Sequence, residues 1–370
     1  MANMKILKHI FLLLLVFTPF FVSAVEQKND IVFKAEVIEI IKEETTTLSD
    51  NTLARQQNIK LRGLEDEFKG AEVFFYGIGG FDTIKKNIYH VGDKVQVLQS
   101  INDKNEKQYF IVDYVRGGSL LWLFVIFLIS LFIVGGWKGF RSVIALLGTF
   151  LVIVEYLIPQ ILAGANPILT TLLGSFVILL LIIYITEGFK NKSHIAVISI
   201  LLSLLLTISL SWTFVWLAKL SGLSSEESGF LIGIGQSAIN FQGLLLAGII
   251  VGTLGVLDDV VISQIATVEQ LISANKFLTG KEIFKKAYEV GVSHISSMTN
   301  TLFLAYAGAS MPLLVLFGSG KSAFSTWEQL IENEQIATEI VRTLSGTIGL
   351  ILAVPISTAL AVWWFKYKKI

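Results

Sequence analysis

Leu120-Leu121-Trp122-Leu123-Phe124-Val125-Ile126-Phe127-Leu128-Ile129-Ser130-Leu131-Phe132-Ile133-Val134 runs without one charge and ends in Gly135-Gly136. That is close to the roughly 20 apolar residues an α-helix needs to cross the hydrocarbon core of a bilayer. Working outward, residues 142–162, 168–186, 195–217, a long region around 231–265, 295–317 and 341–364 repeat the pattern. The expected fold is therefore mostly α, a polytopic bundle of about seven spans filling residues 119–370. Composition agrees. The chain is 53% hydrophobic and 16% charged, with a mean hydropathy of +0.69, against roughly 25% charged residues in soluble domains.

More than half of the 29 basic and 29 acidic residues lie before Leu120, so a moderately polar head precedes a very apolar body. Net charge is zero, which offers no basic surface for nucleic acid. Cysteine is absent, which removes disulfides, thiolate metal sites and cysteine nucleophiles together.

The N-terminus has the order of a secretory signal. Lys5, Lys8 and His9 precede an apolar run over 10–22, and Ser23-Ala24 closes it. Cleavage is expected after Ala24, with an uncleaved anchor as the alternative because Thr18-Pro19-Phe20 is bulky. Either way residues 25–118 are expected to be exported. They read as five strands, 31–41, 57–61, 71–76, 94–98 and 109–115, separated by turn chemistry at Gly63, Gly70, Gly77 to Gly80 and Gly92. Five short strands in so short a segment suggest a small β-barrel of the OB type. A near-neutral head of this kind is expected to meet an envelope protein partner.

Basic residues set the orientation. With the head outside, the inner segments hold Lys138, Arg141, Lys190, Lys192, Lys276, Lys281, Lys285, Lys286, Lys366, Lys368 and Lys369, and the outer ones hold Lys219, Lys321 and Arg342. This places the protein in the plasma (cytoplasmic) membrane with an inner C-terminus. Residues 279–288 read as an amphipathic helix along the inner surface, with Ile283, Phe284 and Ala287 on one side, and 325–339 as an acidic outer helix.

Polar residues inside the apolar stretches are the candidate site. Asn240, Gln242 and Gly243 interrupt the fifth region, either as a break between a half-helix and the true span or within one long tilted helix. Gly248, Gly252 and Gly255, with Gly308 on the sixth span, offer small surfaces for helix packing. Asp258 and Asp259 follow, then Ser263. Carboxylates at this depth are costly and mark ion or proton pathways, unless the span ends at Leu257 and leaves them at the interface. Ser293, Ser296, Ser297, Thr299, Asn300 and Thr301 line the sixth span. Asn300 lies about five and Asp259 about six residues from the inner end, both roughly 8–9 Å deep, so a shared pocket is expected. Hydrogen bonding between helices is the alternative use of that stripe. Glu155 on the second span is a further polar station nearer the outer face.

Enzyme chemistry is not expected. Adjacent aspartates on a helix diverge by about 100° and cannot face each other as a protease dyad. Ser310 lacks a base, because His294 is about 24 Å away along the same helix. His9, His90 and His194 lie elsewhere, no His pair has metal spacing, and no phosphate loop appears. No metal or cofactor is expected.

Several motifs taken together resemble the YibE/F-like family of bacterial membrane proteins. They are Asp113-Tyr114-Val115-Arg116, Gly136-Trp137-Lys138-Gly139-Phe140-Arg141, Gly252-Thr253-Leu254-Gly255-Val256-Leu257-Asp258-Asp259-Val260, Ser293-His294-Ile295 through Thr299-Asn300-Thr301-Leu302, and Leu304-Ala305-Tyr306-Ala307-Gly308-Ala309-Ser310-Met311-Pro312. The resemblance runs over most of the chain. It implies the polytopic topology and draws attention to Asp259, Thr299, Asn300 and Thr301, without implying a substrate, cofactor or catalytic role. The expected function is a transporter or permease for an ion or small solute. The competing class is a scaffold whose head binds an envelope partner while its span polarity joins helices. The sequence leaves the oligomeric state open.

Overall fold

The computed structural model describes residues 31–47, 53–79, 88–102, 106–233, 239–319 and 326–367. The signal segment, Lys321, Lys368 and Lys369 lie outside them. The described chain forms two compact units that divide between Ile133 and Val134.

The first unit carries a five-stranded antiparallel sheet. Its strands are β1 (Ile31–Thr47), β2 (Leu53–Gly63), β3 (Glu72–Tyr76), β4 (Lys94–Ile101) and β5 (Lys107–Tyr114), in the order β3-β2-β1-β4-β5. All five lie where alternation placed them, with β1, β2 and β4 longer than expected. The period of two explains the core. Phe33, Ala35 and Val37 of β1 turn inward with Ile59, Leu61, Val73, Phe75, Val95, Val97 and Ile111. The β1–β2 register shifts at Val37/Glu39 and again at Ile40/Lys42. Such bulges sharpen strand bending, and the edge strands β3 and β5 curl toward one another as a half-barrel. Phe68 covers one side by stacking on Phe33 at 3.9 Å. Gln57, buried, exchanges two hydrogen bonds with the Tyr89 backbone at 2.8 and 3.1 Å and donates to Glu43 at 3.0 Å.

The remainder is helical: α1 (Gly117–Val152), α2 (Ile158–Leu162), α3 (Pro167–Thr186), α4 (Asn191–Leu217), α5 (Glu226–Gly233), α6 (Phe241–Ala274), α7 (Gly280–Ala309), α8 (Met311–Gly318), α9 (Trp327–Glu332) and α10 (Glu334–Val362). Gly136 interrupts α1 at φ 52 and ψ −135, a backbone shape L side chains rarely adopt. A π-helical turn over Ile153–Leu157 joins α1 to α2. By length and composition, five helices among the described residues could cross a membrane. They become six if α7 and α8, bent by 67°, count as one broken span. The reading of about seven further divides the Gly117–Leu162 stretch at Gly136.

Two boundaries differ from the sequence reading, and a third selects between its alternatives. The proposed surface helix at 279–288 is the first third of α7. Thr279 and Glu282 form a capping box that starts it, and Ile283, Ala287 and Gly291 are buried, so packing carries the helix straight into the sixth apolar stretch. That stretch breaks instead at Ser310, just before Pro312, where proline cannot supply an amide to the helix. The fifth region follows the broken alternative rather than one long helix. Asn240 caps α6 by accepting the Gly243 amide at 2.9 Å, which fixes a new start there.

In this unit α4, α6 and α10 pack on one another most extensively, α3 lies against α6, and α7 lies against α10 and α6. Large apolar side chains such as Leu205, Trp212, Phe176 and Leu173 point outward, whereas Ser199, Ser203, Thr207, Ser211, Thr253, Gln264, Thr347, Ser357 and Thr358 are buried.

Candidate functional site

The buried hydroxyls recur every fourth residue on α4, which sets Ser199, Ser203, Thr207 and Ser211 on one face. Ser203, Thr207 and Ser211 each donate to the carbonyl four residues back, at 2.8–2.9 Å. Thr347, Ser357 and Thr358 of α10 do the same at 2.6–2.7 Å. A hydroxyl satisfied by its own helix can be buried cheaply, and its small volume lets backbones approach. A side chain at Gly349 of α10 would run into Thr207. Gln264 is the polar joint between three helices. Its amide donates to the Ala287 carbonyl of α7 at 2.7 Å and to the Thr358 hydroxyl of α10 at 2.8 Å.

Register fixes where the aspartates lie along α6 relative to α3. The start of α3 meets the start of α6, with Pro167 beside Gly243. Ile183 and Glu187 at the far end of α3 share a small cleft with Ile262 and Ile265 of α6. The 20 residues of α3 measure about 30 Å, the thickness of a hydrocarbon core. Asp258 is one helical turn back from Ile262, about 6 Å inside that end. Asp258 is half-buried, and its Oδ1 is enclosed with no hydrogen-bond partner among the described residues. Asp259 is exposed.

Glu187 closes the same end. Its carboxylate pairs with Lys192 at the start of α4 and with Lys138 of α1, the latter at 3.5 Å. Burial alone would raise the Glu187 carboxyl, but the hydrogen bond and charge of Lys192, with Lys138 behind, hold it below the ordinary carboxylate range. The Ser193 hydroxyl adds a bond to the Gly188 carbonyl at 2.6 Å. At the opposite end Glu334 gathers the Ser221 and Gly222 amides at 2.6 and 3.1 Å.

The other sequence-selected residues disperse. On α7 the packed face is Ile295, Met298 and Leu302 against Val256 and Val260, with Tyr306 beside Gly252. This antiparallel register puts Asp259 level with Thr299. Asn300, Ser293, Ser297 and Thr301 lie on the opposite, exposed side of α7, and Thr301 donates to the Ser297 carbonyl at 3.1 Å. Among the described residues no hydrogen bond joins either aspartate to Thr299, Asn300 or Thr301. Ser263 is exposed one turn beyond Asp259. Gln242 donates to the Leu220 carbonyl at 2.9 Å, and Asn240 is the α6 cap. Glu155 is exposed on the π-helical turn. A side chain at Gly248, Gly255 or Gly308 would meet nothing within 4 Å. Close approaches between helices occur instead at Gly349, at Gly291, which faces Gln264 and Val354, and at Gly174 and Gly280, which face Leu157 and Tyr367.

Sequence reasoning passed over Glu187 and Gln264. A lone acid among Lys190, Lys192 and Lys138 was the available signal for the first. The second stands in the same apolar run as the aspartates.

The described chain thus includes an apolar helix bundle of membrane type, with the Asp258 carboxylate enclosed near an ion-paired end. The family described as YibE/F-like protein matches residues 123–367, and the protein belongs to it. The sheet lies before the matched residues. No curated protein and no solved structure matches the chain.

Proposed function

We propose that this protein is a plasma-membrane permease for an ion or small solute, with Asp258 as its principal binding carboxylate. The observation that carries the reading is the enclosed Oδ1 of Asp258, without a hydrogen-bond partner among the described residues and about one turn before the level at which α3 ends. A buried acceptor without a partner is unfavourable unless a proton or cation satisfies it. Asp259 is the outer member of the pair, exposed at the level of Thr299. The family resemblance points to Asp259; burial favours Asp258. The remaining polar residues on α7 extend the pathway along its exposed side.

The topology that fits is seven spans, with Gly136 separating the first two. The basic residues 138, 190, 192, 276 and 366 then mark the cytoplasmic side, and the half-barrel is outside, following an N-terminal signal. The strand order β3-β2-β1-β4-β5 supports reading it as an OB-like barrel. No catalytic role is assigned to any residue.

A second reading, a scaffold, draws on the head. The edge strand β3 exposes Phe74 and Tyr76, stacked with ring centroids 6.4 Å apart, a surface suited to an envelope protein partner.

Reconstitution into liposomes separates the two. Ion flux followed with an entrapped pH-sensitive dye and with tracer cations should fall at least about tenfold in Asp258→Asn, while the variant inserts and elutes as wild type does. Normal flux in the variant, or no flux in wild type for any ion tried alongside an intact head-partner complex, favours the scaffold.

A further inference from the structure

Two connections meet at one end of the helical unit and leave it strongly basic. Gly136, at φ 52, breaks α1, and the helix resumes at once as Trp137-Lys138-Gly139-Phe140-Arg141. Gly188, at φ 77, turns the chain between α3 and α4, which starts after Lys190. Glu187 ties the two connections together, because its carboxylate takes both Lys138 and Lys192. Only Lys192 is shielded with it, at 19% and 13% exposed, whereas Lys138 is 75% exposed. Lys138, Arg141, Lys190 and Lys192 thus share one carboxylate, four positive charges against one negative. Among the described residues Arg141 and Lys190 have no carboxylate partner. Asp258 and Asp259 lie about one turn deeper along α6 than Ile262, which stands level with Glu187.

Aromatic rings flank the same two connections. The Tyr184 ring lies parallel to that of Phe189 at 4.3 Å, and its hydroxyl meets the His194 ring at 2.8 Å. Trp137 stacks on Phe140 at 5.1 Å and carries the Arg141 guanidinium over its face at 5.9 Å. Trp137, Phe140 and Phe189 are exposed. Such rings settle at the level of the lipid headgroups, where one side is apolar and the other wet.

We propose that this patch holds the phosphodiester of an anionic phospholipid, such as phosphatidylglycerol, at this end of the bundle. Arg141 offers the planar fork that pairs with two phosphate oxygens. Lys138 and Lys190 add charge from the two connections. The surplus of positive charge selects an acidic headgroup over a zwitterionic one. The rings give the lipid's glycerol and acyl chains an apolar border that inorganic phosphate would not use. Glu187 keeps the two connections side by side and so positions the cations. The bound lipid fastens α1 to α3 and α4. This goes beyond the permease reading, since it requires spanning helices but no transport.

Full-length protein in a non-ionic detergent is melted with phosphatidylglycerol or phosphatidylcholine added at equal mole fraction. A ligand that binds the folded state alone raises its melting temperature. Phosphatidylglycerol is expected to raise it by about 2–4 °C more than phosphatidylcholine does. Arg141→Gln combined with Lys190→Gln should remove most of that difference. The control is Lys281→Gln combined with Lys285→Gln, an equal charge change at exposed positions early in α7. That stretch lies at the same end, since Ala287 of α7 meets Gln264 beside Ile265 of the Glu187 cleft. The control should leave the difference intact. If the first double variant fails to fold, Arg141→Gln and Lys190→Gln decide singly, each being expected to shrink the difference. Equal shifts with the two lipids overturn the proposal. So does equal loss in both double variants, which would reduce the effect to general surface charge. Inorganic phosphate matching phosphatidylglycerol, or a full difference in both single variants, overturns it as well.

Discussion

The two units bury opposite chemistry. Inside the half-barrel, ten strand side chains from Phe33 to Ile111 form a core with Tyr89, and Gln57 and Gln99 are the buried polar residues there among those described. The helical unit reverses this. Its outer surface is Leu, Phe, Trp and Ile, and its interior carries a seam of serine and threonine with Gln264 at one joint. The difference follows from the solvent each unit meets. In water the gain comes from removing apolar surface. In lipid that gain vanishes between helices, and close backbone approach with interhelical hydrogen bonds takes its place.

The strongest way to break the comparison is to put the same charge on the outside of both units. Leu205 lies at mid-length on α4 and is 55% exposed. Leu205→Lys should oppose membrane insertion by about 2.5–3.5 kcal/mol, read as lost membrane-integrated protein. Tyr76→Lys, at a position 70% exposed on β3, should change stability by no more than about 0.5 kcal/mol. Equal tolerance at both sites would mean that α4 does not face lipid there.

A smaller effect sharpens the role of the seam. Gly349→Val introduces atoms where Thr207 already stands and should destabilise the folded bundle by about 1–3 kcal/mol. Gly248→Val meets open space and should stay within about 0.5 kcal/mol. Thermal unfolding of both variants in one detergent reads the contrast. A reversed order would place the tight helix crossing at Gly248.

The smallest effect concerns acid. Glu187 is held below its ordinary value of 4.5 in the folded chain, so its ion pair stabilises fully above that value. The contribution disappears as pH falls through the lowered folded value. The difference in melting temperature between wild type and Glu187→Gln should therefore be constant from pH 7 to about 5 and shrink in stronger acid. A difference that grows on acidification would show that Glu187 is protonated in the native protein.

Much of the fold was legible because period and length are local properties. Alternation located all five strands, and uninterrupted apolar length located the helices. Helix ends were less legible. The Thr279–Glu282 capping box was present in the sequence, but no local signal said that α7 would continue through His294 and Ser297 into the next apolar stretch. Burial of Ile283, Ala287 and Gly291 against neighbouring helices decided that. The Asn240 break was legible as an alternative, and a cap hydrogen bond to Gly243 selected it.

For the candidate site, the sequence by itself determined that carboxylates, amides and hydroxyls occur within apolar stretches, and roughly how deep they lie along their helices. Both follow from residue type and a fixed rise of about 1.5 Å per residue. Only the tertiary structure decided which face of each helix turns inward. It enclosed Asp258 and exposed Asp259, one residue and about 100° apart. It turned Asn300 away from α6, and it brought Glu187 to the cleft where Ile262 marks the next turn after Asp258. Facing is set by how helices distant in sequence pack together, and no periodicity within one helix carries that information.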